Sequence, residues 1–474
     1  MPTHPVLFIP GYPASELLLS GSGQRIFPPS LGDLADPDRR DRLIRWLTGA
    51  ETPPSPIVAG EPIRDIAGIF KEAQSLYDVL RDYGYSVSAA NDFFQPLGWD
   101  WRFAVDAPAV QDACEQAIDG LAAQGPLVAI VHSTGGLVLR ALLEQRPALA
   151  AKIAHVLAFG VPWAGSLKAV RYLARGEKIG FPALGLGLTA VQVRTVMRAA
   201  QAAYDLFPPG PPATEMTDTD GDPMNLTVAV GAGNARRQIA LLSERDWIPA
   251  GATGDAMRGH ADSALVRLGA RTPAIELPGG AVMPPVTCVA GWGVATDVCS
   301  VLRGDGAIAF DNSWSPSPEG DGTVPLASAS WLRGSGVRTF YLPIGVYPVD
   351  AIPHPHDGLW SSPPVLEILD QVLLDKPPEP FVCAAADGDQ AVDPESVLTI
   401  RFSAADERGQ ALPAARVVLA DLVPETISFA GRTRLEVILP RTNLEPNAGP
   451  DLHRLVAAVE WTGGRRELPV VFRV

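Results

Sequence analysis

The stretch "LVAIVHSTGGLVLRALL" at residues 127–143 decides how this chain is read. Residues 127–131 are short, branched and apolar and follow "QGP", which predicts a buried strand. Residues 137–143 set apolar side chains around Arg140 at helical spacing, which predicts a helix packed on a sheet. Between them lies His-Ser-Thr-Gly-Gly, room only for a sharp strand-to-helix turn. Such a turn strains the backbone of its tip residue, Ser133, and Gly135 and Gly136 keep the surroundings small. A serine there presents its hydroxyl at the carboxyl end of the sheet, above a helix N-terminus. The pattern is that of a nucleophile elbow, G-x-S-x-G, with Val131 in place of the first glycine. A capping serine in an ordinary turn is the alternative, so the nucleophile needs partners elsewhere.

The rest of the chain supports a globular enzyme. It has 474 residues, 47% hydrophobic and 19% charged, enough for a large core and more than one domain. A net charge of −15 excludes sequence-independent nucleic-acid binding, which needs basic surface, and weakens electrostatic docking on anionic lipid. No apolar run reaches the length of a membrane span. "PVLFIPGYPASEL" begins at residue 5 as a strand and a glycine turn, where a secretory leader would place a long apolar core. Either a leader has been removed or the chain stays in the cytosol; the expectation adopted is a cytoplasmic, bacterial protein. Cys114, Cys288, Cys299 and Cys383 lack metal spacing and are read as reduced, buried thiols, although Cys288 and Cys299 could pair.

Strand-like runs at 6–9, 127–131, 156–159, 286–290 and 339–344 alternate with helical patterns such as "AVQDACEQAIDGLAAQ" and "PPVLEILDQVLLD". This alternation predicts an α/β fold, a mostly parallel sheet with helices on both faces. It becomes irregular at about 166–285, where a cap or lid is expected; the apolar "IGFPALGLGL" within it is read as core, with a lipid-facing surface as the alternative. Beyond "LLDKPPEP" short alternating runs predict an all-β, sandwich-like domain, giving domains at 1–377 and 378–474.

In an α/β-hydrolase the triad runs serine, acid, histidine along the chain. His4 and His132 precede Ser133, His155 opens an apolar strand, His260 lies in the expected cap and His453 in the β region. "AIPHPHDGLW", after a strand and before a helix, leaves His356, with His354 as fallback. The acid is read as Asp321 in "EGDGTVPLASA", whose flanking glycines allow a sharp turn, with Asp297 and Asp305 as rivals. Oxyanion donors are the backbone N–H of Thr134 and, since Pro13 has none, of Tyr12 beside Gly11. No metal or organic cofactor is implied.

Several motifs carry a resemblance. "VLFIPGYPASEL", "IFPPSLGDL", "GWDWR", "VHSTGGLV", "FGVPWAGS", "YDLFPP" and "GDGTVPLAS" are spread over most of residues 5–370, and together they resemble the lecithin:cholesterol acyltransferase-like α/β-hydrolases. The resemblance implies a capped hydrolase fold with Ser133 as nucleophile, Asp321 as acid, His356 as base, and Tyr12 and Thr134 as oxyanion donors. It implies a lipid-like acyl ester, of phospholipid type, as substrate, by hydrolysis or transfer. The acidic β region lies outside the family pattern. Trp163 is read as lining an acyl pocket, with simple core packing as its alternative, and Asp100 with Arg102 as a structural ion pair. The expected function is a serine esterase or lipase, with peripheral membrane contact left open. The alternatives are an inactive hydrolase fold whose β domain binds a partner, and an amidase on the same triad.

Overall fold

The computed structural model describes every residue except 1, 65–72, 89, 182–185, 211–214, 218–219, 221–222, 226, 231–236, 239, 311, 313–318, 346–355, 387–396, 420–425, 441–451 and 474. Six parallel strands form the centre: β1 (Val6–Ile9), β2 (Phe94–Pro96), β3 (Leu127–His132), β4 (Ile153–Phe159), β5 (Val286–Trp292) and β6 (Val337–Pro343). Their order across the sheet is β6-β5-β4-β3-β1-β2.

Every residue of β3 is buried because its two faces enter different cores. Leu127, Ala129 and Val131 pack with the helices Pro108–Ala122 and Gly135–Gln145, among Ile118, Leu139 and Leu142. Val128 and Ile130 point the other way, toward the helices Gln74–Asp82 and Pro363–Leu373, among Tyr77, Leu80 and Ile368. Side chains alternate along a strand, so a strand covered on both sides is apolar throughout. The helix Pro363–Leu373 begins with proline, whose missing N–H would have had no partner in the first turn. Ser362 precedes it, but its hydroxyl makes no capping bond.

Residues 166–285 hold the helices Leu167–Ala174, Ala190–Ala199 and Ala252–Gly269 with short strands between them. Within "IGFPALGLGL", Ile179–Phe181 and Leu186–Leu188 pair antiparallel, and 182–185 lie outside the described residues. Near the N-terminus, Ser15–Leu19, Arg25–Phe27 and Ile57–Pro62 form an antiparallel sheet that the sequence reading did not anticipate.

From Phe381 onward the described strands are antiparallel. One sheet contains Phe381–Ala386, Val397–Ala405 and Arg434–Pro440; the other contains Ile427–Ser428, Arg416–Val418, Leu452–Trp461 and Gly464–Arg473. They enclose a core of their own, including Ile400, Phe402, Val417, Val459 and Val470. This region is also sealed to the central sheet. The Phe340 and Phe381 rings lie 5.0 Å apart, and Trp292 donates to Ser403 Oγ at 3.2 Å. The Arg434 guanidinium sits 4.8 Å from the Tyr341 ring and 5.5 Å from that of Trp292. Cys114, Cys288, Cys299 and Cys383 are all buried and outside any disulfide. Among the described residues no helix is long and apolar enough to cross a membrane.

Candidate active site

Ser133 follows β3 directly, with φ +50°, a left-handed conformation that costs a non-glycine residue strain and persists only where the surroundings impose it. Its N–H donates to the Phe159 carbonyl at 3.0 Å, which pins the turn to the neighbouring strand. The helix Gly135–Gln145 starts two residues later, so its positive end lies beneath the serine. The need for glycine at 135 is one of space: a Cβ there would sit 2.2 Å from the Ile9 carbonyl oxygen. Gly11, in the loop after β1, is equally constrained, because a Cβ would come within 2.6 Å of Ser133 Cβ and 3.1 Å of its Oγ. Val131, the departure from the motif, points into the core and leaves the turn intact.

Asp321 and His356 are brought together across 35 residues. His356 Nδ1 donates to Asp321 Oδ2 at 2.7 Å, with Asp321 only 1% exposed and His356 8%. The other carboxylate oxygen, Oδ1, accepts the N–H groups of Thr323 at 2.9 Å and Val324 at 2.7 Å. Burial alone would raise the Asp321 pKa, but the charge and hydrogen bond of His356 and those two N–H groups hold it below the ordinary carboxylate value. Burial would likewise lower His356, but Asp321, aided by Asp357, outweighs it and raises the imidazole above its ordinary value, while Lys168 acts in the opposite sense. This is how a buried carboxylate orients an imidazole and stabilises its cation.

Ser133 (8% exposed) and His356 line one cavity of about 280 Å³, together with Tyr12 and Thr134. Among the described residues no hydrogen bond joins Ser133 Oγ to His356. Such contacts are long in a free enzyme and tighten on binding substrate. The remaining wall is largely apolar, with Phe27, Ile63, Val193, Met197 and Leu206.

The "WDWR" motif supports the Tyr12 loop. Trp99 Nε1 donates to the Pro10 carbonyl at 3.0 Å and Trp101 Nε1 to that of Ser15 at 3.1 Å, one on each side of Tyr12. Asp100 and Arg102 form the expected two-pronged ion pair, at 2.6 and 2.9 Å. Trp163 is 2% exposed within the core and is not on the cavity wall. Its loop serves differently: Ser166 Oγ donates to the Thr323 carbonyl at 2.6 Å and Ala164 N–H to Ser328 Oγ at 3.0 Å, tying "PWAGS" to the acid loop. The rival acids are engaged elsewhere, Asp297 with Arg171 at 2.6 Å and Asp305 within its own turn. His155 binds Thr287, and His260 packs on Tyr204. His354 lies outside the described residues.

His132, Lys168 and Asp357, also on the wall, were given no role in the sequence reading. Lys168 Nζ donates to Thr323 Oγ1 at 2.9 Å, and it follows the "PWAGS" motif by two positions. His132, His356 and Asp357 place potential metal-ligand atoms within 4.8 Å of one another. One nitrogen of each imidazole is hydrogen-bonded, His132 Nε2 to the His356 carbonyl and His356 Nδ1 to Asp321.

The lecithin:cholesterol acyltransferase family model matches residues 66–225, a span that holds Ser133, Thr134, "WDWR" and "PWAG". Over that span the chain resembles this family. It is 35% identical to the phosphatidylcholine-sterol acyltransferase of Rattus norvegicus over 118 residues, covering 23% of this chain and 25% of the relative. It is 30% identical to the lysosomal phospholipase A and acyltransferase of the same organism, also over 118 residues, covering 23% and 27%. The chain thus spans about a quarter of the length of these relatives. Among solved structures it resembles a chain of the Tle4–Tli4 complex, with TM-score 0.46 and 13% identity over 76% of this chain and 95% of that one. Tyr12, Asp321 and His356 lie outside the family span, so their roles rest on the geometry above.

Proposed function

We propose that this protein is a serine esterase that cleaves or transfers the acyl group of a lipid-like ester, of phospholipase type, through an acyl-enzyme. The observation that carries the reading is the buried 2.7 Å Asp321–His356 pair, whose imidazole shares a cavity with Ser133 at its strained turn. The matched relatives, named for acyl transfer and phospholipase A activity, and the apolar wall favour a lipid acyl chain as the group bound.

In this mechanism His356 takes the Ser133 proton at Nε2, and Oγ attacks the ester carbonyl. The charge on the carbonyl oxygen is met by the N–H groups of Tyr12 and Thr134 and by the helix end below. Asp321 stabilises the imidazolium, which then protonates the departing alcohol. Water or an acceptor alcohol, deprotonated by the same nitrogen, releases the acyl group. We further read 1–377 as the hydrolase unit, with its cap at about 166–285, and 378–474 as the β unit, acting in the cytoplasm.

The test is p-nitrophenol release from short- and long-chain acyl esters, beside phospholipid vesicles, for wild type, Ser133→Ala and His356→Ala. Turnover that disappears in both variants and rises with chain length supports the reading. Absence of wild-type turnover and of a fluorophosphonate adduct would end it.

A further inference from the structure

His132 is the last residue of β3 and the chain neighbour of Ser133, yet its side chain is committed to His356. Its Nε2 lies 3.1 Å from the His356 main-chain carbonyl oxygen. A carbonyl can only accept, so Nε2 carries the proton and donates, which fixes the tautomer of His132. The two imidazole rings lie 4.7 Å apart at a tilt of 42°. On its other side His132 meets Trp360 edge-on at 4.8 Å and 83°. Trp360 is itself anchored, its Nε1 donating to Ser75 Oγ at 2.8 Å and its ring packing edge-on against Phe8 and Phe159. Burial, then the neighbouring His356, pushes the His132 pKa down to about 4. The ring is therefore neutral near pH 7 and does not repel the cation that forms on His356.

His356 is thus held at two independent points. Asp321 grips the ring at Nδ1 and sets its rotation, whereas His132 grips the main chain and sets its height above the elbow. The second grip comes from the residue joined to the nucleophile by one peptide bond, about 3.8 Å between Cα atoms. A shift of β3 therefore carries serine and base together.

We propose that His132 is a positioning residue that fixes the separation of base and nucleophile, its Nε2–H suspending the His356 backbone from the nucleophile's own strand. The inference rests on the reading of Ser133 and His356 as nucleophile and base. The two partners must meet within a fraction of an ångström, and a 1 Å misplacement of reacting groups costs roughly 100-fold in rate.

The test compares two amides that differ in reach by one carbon. His132→Gln can place an N–H near the position of imidazole Nε2; His132→Asn cannot. Steady-state kcat and KM on one p-nitrophenyl ester are measured for both, with thermal midpoints as a check on folding. We expect His132→Asn to lose roughly 30- to 100-fold in kcat with KM within about twofold, and His132→Gln to stay within about fivefold of wild type. His132→Phe, which keeps a flat ring but no donor, should resemble Asn. Equal kcat values for Asn and Gln in an active enzyme, whether both high or both low, overturn this inference and leave the esterase reading standing. An inactive wild type with no fluorophosphonate adduct takes down both.

Discussion

Replacing Asp321 by asparagine separates the two jobs of its carboxylate. Oδ1 accepts two backbone N–H groups, from Thr323 and Val324, and Oδ2 accepts the Nδ1–H of His356. An amide can serve only one of these sides with oxygen. Turning the NH₂ toward the loop would set donor against donor twice in a site 1% exposed, at roughly 1–3 kcal/mol for each unsatisfied group, or about 2–6 in all. The oxygen therefore stays on the loop and the NH₂ faces His356. The imidazole must then accept at Nδ1 and carry its proton at Nε2, where it cannot receive the one from Ser133. The imidazolium also loses its counter-charge. A fall in kcat of about 10³- to 10⁴-fold is expected, or about 4–5.5 kcal/mol at 1.36 kcal/mol per tenfold. Steady-state ester hydrolysis measures it, and an unchanged thermal midpoint shows that the loop is intact. A variant keeping more than about a tenth of wild-type kcat would refute the orienting role of Asp321.

Gly11→Ala should lower kcat at least about 100-fold and stability by about 1–3 kcal/mol, because the new methyl meets Ser133 Cβ at 2.6 Å; activity and thermal midpoint read both. Lys168→Met should move the acid limb of kcat/KM to higher pH and Asp357→Asn to lower pH, since Lys168 opposes and Asp357 favours the protonated form of His356; pH–rate profiles of the two variants check the sign. His155 is pushed down to about 4 by burial first and then by Arg338, so the unfolded chain binds the proton that the folded one refuses. Stability from this group is full above the ordinary histidine value of about 6.5 and falls as pH drops toward 4, by about 2 kcal/mol at pH 5. His155→Gln should therefore lose less stability than wild type between pH 7 and pH 5 in denaturant titrations.

The elbow and the central strands were legible because strand, tight turn and helix each leave a local pattern, and β1 appears at its predicted residues. β2 was not, since three residues ending in proline at a sheet edge carry no periodicity. The acid and base could be read from chain order and loop type, yet nothing local reveals that both oxygens of Asp321 would be used. His132 was set aside for preceding the serine; order along the chain says nothing about a contact made sideways across 224 residues. Trp163 shows the opposite difficulty. A large aromatic beside a motif looks the same in sequence whether it faces a cavity or, as here, the core. Lys168 was hidden because a lysine on an amphipathic helix ordinarily faces solvent, and only the fold turns this one toward Thr323.

The seal between the C-terminal strands and the central sheet bears on how the chain can be cut or recombined. Phe340, Tyr341 and Trp292 are between 1% and 3% exposed, and Phe381, Ser403 and Arg434 are what cover or hold them. A shortened chain ending before Phe381 would present a greasy aromatic face to water and associate with itself, unless those positions were first made polar. The C-terminal strands are therefore not a detachable module that could be traded between enzymes at a linker. They are also mechanically in series with Asp321: β5 ends at Trp292, and two residues on, Val294 pairs with Gly320, the neighbour of Asp321. A binder that gripped the outer β layer hard enough to shift Trp292 would pull on Asp321, the proposed acid, from behind.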